Sequence, residues 1–177
     1  PKTGLHQRTV KLHERLTLKM NMQDIPWFVK PQKMSGLKKG FLKGMEDIQW
    51  KLKDSFVDYS QIVGQRMQIV NEWEIYFEEF DILVCPSGFG PAYKRCKIGT
   101  RITYNGTTVE YINYVYPFNA CFNASGHPAL AIPLGLDKEG LPVGVQVVGP
   151  YWSEPDLLHF AKLISKHTEG FVKHPSY

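Results

Sequence analysis

From residue 46 to residue 80 apolar side chains recur every three or four positions: Ile48, Leu52, Phe56, Tyr59, Val63, Met67, Val70, Trp73, Phe77 and Phe80. That spacing predicts one continuous buried stripe on a single helix, about 50 Å long at 1.5 Å per residue. Gly64 is the position at which such a helix would bend. A shorter helix is predicted over Val10–Met20, ahead of a stretch broken by Pro26 and Pro31. After the long helix the period changes. Asp81–Pro86 is a short apolar run closed by proline and reads as a strand buried on both faces. Residues 88–99 are loop. Ile102–Tyr104 and Thr107–Glu110 flank Asn105-Gly106, whose tolerance of positive φ makes a tight hairpin. A helix is expected from Glu110 to about Asn123. Ala129–Pro133 and Val143–Val148 read as strands joined by a Leu136–Pro142 turn. Ser153 is expected to cap a last helix, with Pro155 in its first turn and Leu157, Leu158, Phe160, Ala161 and Ile164 along it. The order predicts an α/β fold with a buried sheet and no internal repeats.

With 43% hydrophobic and 21% charged residues, the 177-residue sequence supports a real core and is not intrinsically disordered. Its longest apolar stretches fall far short of the roughly 18–20 residues of a membrane span, so none is expected. Pro1-Lys2-Thr3-Gly4 leads into alternating charge rather than an apolar signal run. Three cysteines, Cys85, Cys96 and Cys121, cannot pair completely. Both features predict a cytoplasmic setting. The net charge of +4 divides unevenly, because residues 1–53 carry 12 Lys/Arg against 4 Asp/Glu and residues 54–177 carry 9 against 13. Lys30, Lys33, Lys38, Lys39 and Lys43 form the densest basic stretch. Nucleic acid or a membrane surface is one reading of it and a solvated surface segment the other. Aromatic residues for base stacking are thin there, and Gly36, Gly40 and Gly44 lack the spacing of a phosphate loop. No nucleic-acid partner is expected.

Few residues carry chemistry on their own. Ser87 follows a strand in Pro86-Ser87-Gly88 but lacks the glycine two residues before it that a nucleophile elbow needs. Ser125 and His127 are neighbours, yet a catalytic pair is a spatial arrangement, so both serines read as turn or cap residues. The histidines show no metal-ligand spacing, and His13-Glu14 lacks a partner histidine. Asn105-Gly106-Thr107 and Asn123-Ala124-Ser125 match the glycosylation pattern by chance. Cys121 reads as a small core residue. Neither a metal nor a cofactor is expected.

Asn123-Ala124-Ser125-Gly126-His127-Pro128-Ala129, Ala131-Ile132-Pro133-Leu134-Gly135 and Gly140-Leu141-Pro142-Val143-Gly144-Val145-Gln146-Val147-Val148-Gly149 resemble the C-terminal part of an amidase signature enzyme. Phe80–Pro86, with Pro91-Ala92 after it, is similar to that family's Asp-strand-Pro-loop segment, and Pro26-Trp27 and the long helix also resemble longer members. The block makes physical sense by itself. Pro128 and Pro133 bracket a short strand, Gly140 ends a turn, Gly144 marks a close approach, and Gln146 needs partners if buried.

The resemblance implies the C-terminal part of the amidase signature fold, a mixed central sheet flanked by helices. It implies amide hydrolysis by a serine nucleophile of a Ser–Ser–Lys triad, with an oxyanion held by a Gly/Ser-rich loop. The sequence contains neither Ser-Ser nor Gly-Gly, so no catalytic residue transfers to it. Residues 1–177 are then a C-terminal segment of one amidase domain: a basic irregular region (1–45), the long helix (46–80) and the strands and helices of the sheet (81–177). The catalytic elements are expected upstream or on a second chain, this chain alone inactive, a small-molecule amide the substrate, and a homo-oligomer a further expected assembly. In the fatty-acid-amide branch, positions matching Asn119, Phe122, Gly126 and Trp152 line the acyl channel, which makes them substrate-binding candidates; as aromatics, Phe122 and Trp152 also read as core. The alternative function is a non-catalytic binding or scaffolding module that keeps the fold.

Overall fold

The computed structural model describes residues 4–23 and 56–172. In chain order they form α1 (Leu5–Gln23), α2 (Phe56–Phe77), β1 (Leu83–Pro86), β2 (Arg101–Tyr104), β3 (Thr107–Glu110), a 3-10 turn (Tyr111–Tyr114), α3 (Tyr116–Ser125), β4 (Ala129–Leu136), β5 (Pro142–Val148) and α4 (Glu154–Ile164). The main sheet runs β1-β5-β4, with Val148 opposite both Leu83 and Ala129. Both of its ladders are antiparallel, so the parallel pairing that would make it mixed is not among the described residues. The α/β architecture stands.

Successive side chains of a strand point to opposite faces, and β5 uses this to join two cores. Val148 packs with α1, α2 and α3 around Trp73, while Val147 packs with α4 around Leu157. Trp73, only 1% exposed, has its ring 5.4 Å from Phe122 and 6.3 Å from Phe77. Its indole N–H donates to Thr9 Oγ1 at 3.1 Å, and that hydroxyl donates to the Leu5 carbonyl at 2.8 Å. The polar end of a buried tryptophan is thereby satisfied and fixes α1 on α2. Cys121 is fully buried in the same core, as the sequence suggests, and burial pushes its thiol up to about 12.

Several elements differ from their sequence reading. On α2 the buried face is Ile62, Ile69, Trp73 and Phe77, whereas Tyr59, Val63 and Met67 are 52%, 37% and 62% exposed. The first set steps by seven, four and four and the second by four, so they lie side by side on the helix; α1 and α3 cover only the first. Residues 46–55 of the expected helix, with the lysine cluster and Pro26-Trp27, lie outside the described residues, and α1 is longer than Val10–Met20. β1 is not buried on both faces: it is an outer strand, α4 packs over β4 and β5, and Val84 is 51% exposed. β4 runs past Pro133 to Leu136 through an irregularity at Pro133/Gly135, because an outer strand tolerates a missing donor. The helix expected from Glu110 is instead the 3-10 turn and α3, broken at Val115, with Pro117 in the first turn of α3 where its missing N–H costs nothing. Ser153 stands at the start of α4 but makes no side-chain cap; its hydroxyl donates back to Pro150 at 2.8 Å.

The hairpin and the β4–β5 block follow the sequence closely. Asn105 and Gly106 take φ values of 47° and 77° between β2 and β3. Asp137 Oδ1 accepts the N–H groups of Glu139 and Leu141, both at 2.9 Å, and Gly140 completes the turn at φ 77°. Buried Gln146 donates to the carbonyls of Phe118 at 2.8 Å and Pro86 at 3.2 Å, tying α3 and β1 to the central strand. A Cβ at Gly144 would lie 2.8 Å from the Ile132 carbonyl oxygen on β4. Gly144→Ala is therefore expected to force the β4–β5 ladder apart and to lower the unfolding free energy by about 1–3 kcal/mol in urea denaturation.

Candidate functional site

Where β1 ends, residues 87–92 cross to the hairpin and the 3-10 turn, and three contacts hold them there. Ser87 Oγ donates to the Gly144 carbonyl at 3.3 Å, the Phe89 N–H to the Tyr114 carbonyl at 2.7 Å, and the Tyr114 hydroxyl to the Pro91 carbonyl at 2.8 Å. The Ser87 hydroxyl is thus tied to β5. Gly90 sits so close under Tyr104 and the Tyr114 hydroxyl that a Cβ would come within 2.6–2.7 Å of them, which only glycine avoids. The result is a trough of two adjoining hollows, about 420 and 640 Å³, that share Pro91, Ala92, Tyr93, Tyr104 and Tyr114. Tyr93 meets Tyr111 and Tyr114 edge-on at 5.8 and 4.8 Å. Its phenol is pushed up to about 12, first by its hydrogen bond with Tyr111 and then by burial. These rings come from a loop, a strand and a 3-10 turn, and no periodicity in the sequence marks them as one wall.

A second cluster joins the helices to the sheet. His127 Nε2 lies 2.8 Å from Glu74 Oε1 and its Nδ1 lies 2.9 Å from Ser125 Oγ. A carboxylate only accepts, so in neutral His127 the proton sits on Nε2 and the Ser125 hydroxyl donates to Nδ1. Tyr151 stacks on the imidazole at 4.7 Å, its N–H donates to Glu74, and its hydroxyl donates to the Ser125 carbonyl. Arg66 donates to the carbonyls of Ala124 at 2.7 Å and Ser125 at 3.0 Å. The connectivity is that of a Ser–His–Glu triad, but Ser125 and the His127 side chain are fully buried, so no substrate reaches the hydroxyl. The buried array ties α2 to the end of α3, where the sequence reading has Ser125 as a turn or cap residue and does not pair it with His127. That reading misses Glu74, Arg66 and Tyr151. No local signal singles out Glu74, because Glu72 flanks Trp73 in the same way.

The substrate-binding candidates occupy different surroundings. Phe122 is 4% exposed and packs on Trp73. Gly126 ends α3 in the left-handed region at φ 86°, its N–H donating to the Phe122 carbonyl at 2.7 Å, and a Cβ there would lie 2.9 Å from the Arg66 guanidinium. Asn119 is half-buried on α3. Trp152 is 87% exposed, at a positive φ of 68° that few non-glycine residues adopt. Among the described residues no three His, Cys, Asp or Glu side chains converge as metal ligands would, and no helix is long and apolar enough to cross a membrane.

A family model described as Amidase matches residues 19–158. The glutamyl-tRNA(Gln) amidotransferase A-subunit of Psychrobacter cryohalolentis is 33% identical over 116 residues, 66% of this chain and 22% of that protein. Its Acinetobacter baumannii counterpart is 36% identical over 127 residues, 70% of this chain and 24% of its own. The chain therefore spans about a quarter or less of the length of these curated relatives. A crystal structure of an amidase superposes with a TM-score of 0.57 at 21% identity, covering 94% of this chain and 36% of that one. The crystal structure of the Thermotoga maritima glutamyl-tRNA(Gln) amidotransferase A-subunit does so with 0.57 at 20% identity, covering 93% and 33%. At these identities the superpositions show a shared fold.

Burial holds the His127 pKa below its ordinary 6.5, against the opposing pull of Glu74. A depressed folded-state pKa gives stability that is present above 6.5 and lost as pH falls through the folded value. His13 shifts the same way through burial, so a comparison with His127→Gln isolates the buried ring. Urea denaturation between pH 7.5 and 5 is expected to show the native chain losing stability below pH 6.5. The variant, weaker at every pH, is expected to lose it less steeply by up to about 1.4 kcal/mol per pH unit.

Proposed function

The chain belongs to the amidase signature family, and from that premise we propose that it is the C-terminal portion of an amidohydrolase that cleaves carboxylic amide bonds by serine nucleophilic catalysis. The match to the amidase model over residues 19–158 carries this reading. The Ser–Ser–Lys elements lie on sequence upstream of residue 1 or on a second chain, since neither Ser-Ser nor Gly-Gly occurs among these 177 residues. Residues 1–177 then belong to a single domain completed by that partner. Its outer strands support this: Val84 on β1 and Ala129, Ala131 and Pro133 on β4 are exposed, and an outer strand left open is a template for pairing.

In this reading the chain supplies the sheet, the helices on its two faces and part of the pocket wall. Asn119, Gly126 and Trp152 serve the acyl side, and Phe122, buried against Trp73, backs it from the core. The substrate is a small-molecule amide, the setting cytoplasmic, and the chemistry needs neither metal nor cofactor, because a lysine base and backbone N–H groups do the work of activation and oxyanion stabilisation.

Intact-mass analysis of the native material, run with an amide-hydrolysis assay, tests this. A co-purifying or covalently continuous segment bearing a Gly/Ser-rich Ser-Ser loop is expected, with turnover only when that segment is present. A lone, folded 20.3 kDa species without turnover would overturn the proposal in favour of a binding module. Turnover by that lone species would overturn it too, and Ser87→Ala would be the first variant to assay.

A further inference from the structure

The charge around the trough runs against the charge of its surroundings. Residues 54–177 carry 9 Lys/Arg against 13 Asp/Glu, yet Lys94, Arg95, Lys97 and Arg101 fall within eight positions. From residue 82 to residue 136 the one acid is Glu110, which pairs with Arg101 at 3.3 Å. Lys94 and Arg101 line the larger hollow, and Arg95 and Lys97 are exposed on the same loop. On the facing β4–β5 turn Glu139 is the lining acid. A local cationic surface on an otherwise acidic segment attracts anions to that place.

The walls are aromatic and already fixed. The Tyr114 hydroxyl is bonded to Pro91, Tyr93 is wedged edge-on against Tyr111 and Tyr114, and Tyr104 lies against Gly90. Rings held in place before binding lose little freedom when a planar group settles among them, so they favour an aromatic occupant over a flexible one.

We infer that the trough lined by Tyr93, Tyr104 and Tyr114 and edged by Lys94 and Arg101 binds an aromatic group carrying a negative charge. The larger hollow, about 640 Å³, is the size of a site for a small molecule and not of a groove that tracks a nucleic-acid strand. That this group is part of the amide substrate, remote from the bond cleaved, rests on the amidase reading; the binding does not.

The test is a titration of the full 177-residue chain, followed by amide chemical shifts, with 1-naphthoate, its neutral counterpart 1-naphthamide, and a ten-residue oligothymidylate. Saturable shifts at Tyr93, Lys94, Tyr104 and Tyr114 are expected with 1-naphthoate, and binding of 1-naphthamide weaker by about fivefold to tenfold, the scale of partly exposed charge pairing. Lys94→Glu is expected to weaken 1-naphthoate by about tenfold and leave 1-naphthamide unchanged. Tyr104→Leu is expected to weaken both. Unchanged binding of the neutral ligand shows that the Lys94 variant is folded. Equal affinity for the two naphthyl ligands, shifts confined to another surface, or displacement of 1-naphthoate by oligothymidylate would overturn the inference. Trough binding without amide turnover in the completed enzyme would sink the amidase reading alone. Turnover of amides with no trough binding would sink this inference alone.

Discussion

Both ring nitrogens of His127 are committed, Nε2 to Glu74 on α2 and Nδ1 to Ser125 at the end of α3, and Tyr151 from the β5–α4 turn stacks on the face of the ring. Three segments far apart in sequence meet at that imidazole. A buried imidazole with an idle nitrogen costs free energy, so the arrangement holds only while all its members keep their places. The tautomer follows from the carboxylate, and with it the direction of the serine hydroxyl. Trp73 and Phe77 close the ring off from water at 6.4 and 5.4 Å. Removing Glu74 or the Ser125 hydroxyl leaves a ring nitrogen of the buried imidazole unpaired, so the helical layer is tied to the segment that leads into β4 at this point.

What this junction fixes is the placement of α2 and α3 against β5, and the trough depends on β5 in turn. Gln146 reaches from β5 to the carbonyls of Phe118 and Pro86, so the end of β1 is set by the same strand that carries Val148 into the helical core. Pro86 then delivers Ser87 to the Gly144 carbonyl and the loop beyond it to Tyr114. From β5 to the aromatic wall the route is a series of hydrogen bonds to backbone carbonyls, with the buried Gln146 side chain as its first link.

How much of this was legible in the sequence depended on the range of the interaction. Asn105-Gly106 announced its hairpin because the turn needs only the two residues in it. Gly144 and Gln146 announced a close approach and a need for partners, though not that the partners would be Ile132, Phe118 and Pro86. The stripe on α2 holds at Trp73 and Phe77 but is misplaced by one flank before them, since Tyr59, Val63 and Met67 recur every four residues beside Ile62 and Ile69, and only the positions of α1 and α3 decide between them. Ser125 and His127 were visible as neighbours; Glu74 is 53 positions upstream of His127 and nothing local points to it. The trough was least legible, because its rings belong to three elements that periodicity treats separately.

The trough is also the part of the molecule most open to change. Its floor is set by backbone: Gly90 admits the Tyr104 ring, Gly144 admits the β4 carbonyl, and neither tolerates a Cβ. Its charge is set by exposed side chains, Lys94, Arg95 and Lys97 on the loop and Arg101 at the start of β2, which take no part in either core. Lys94, Arg95 and Lys97 can therefore vary without disturbing the ladders or the His127 junction, whereas the glycines cannot. A fold that separates these two demands keeps a constant cavity and leaves its chemical preference to a few surface residues. The cationic loop is then read as a statement about the ligand rather than about stability, since charges this exposed contribute little to folding.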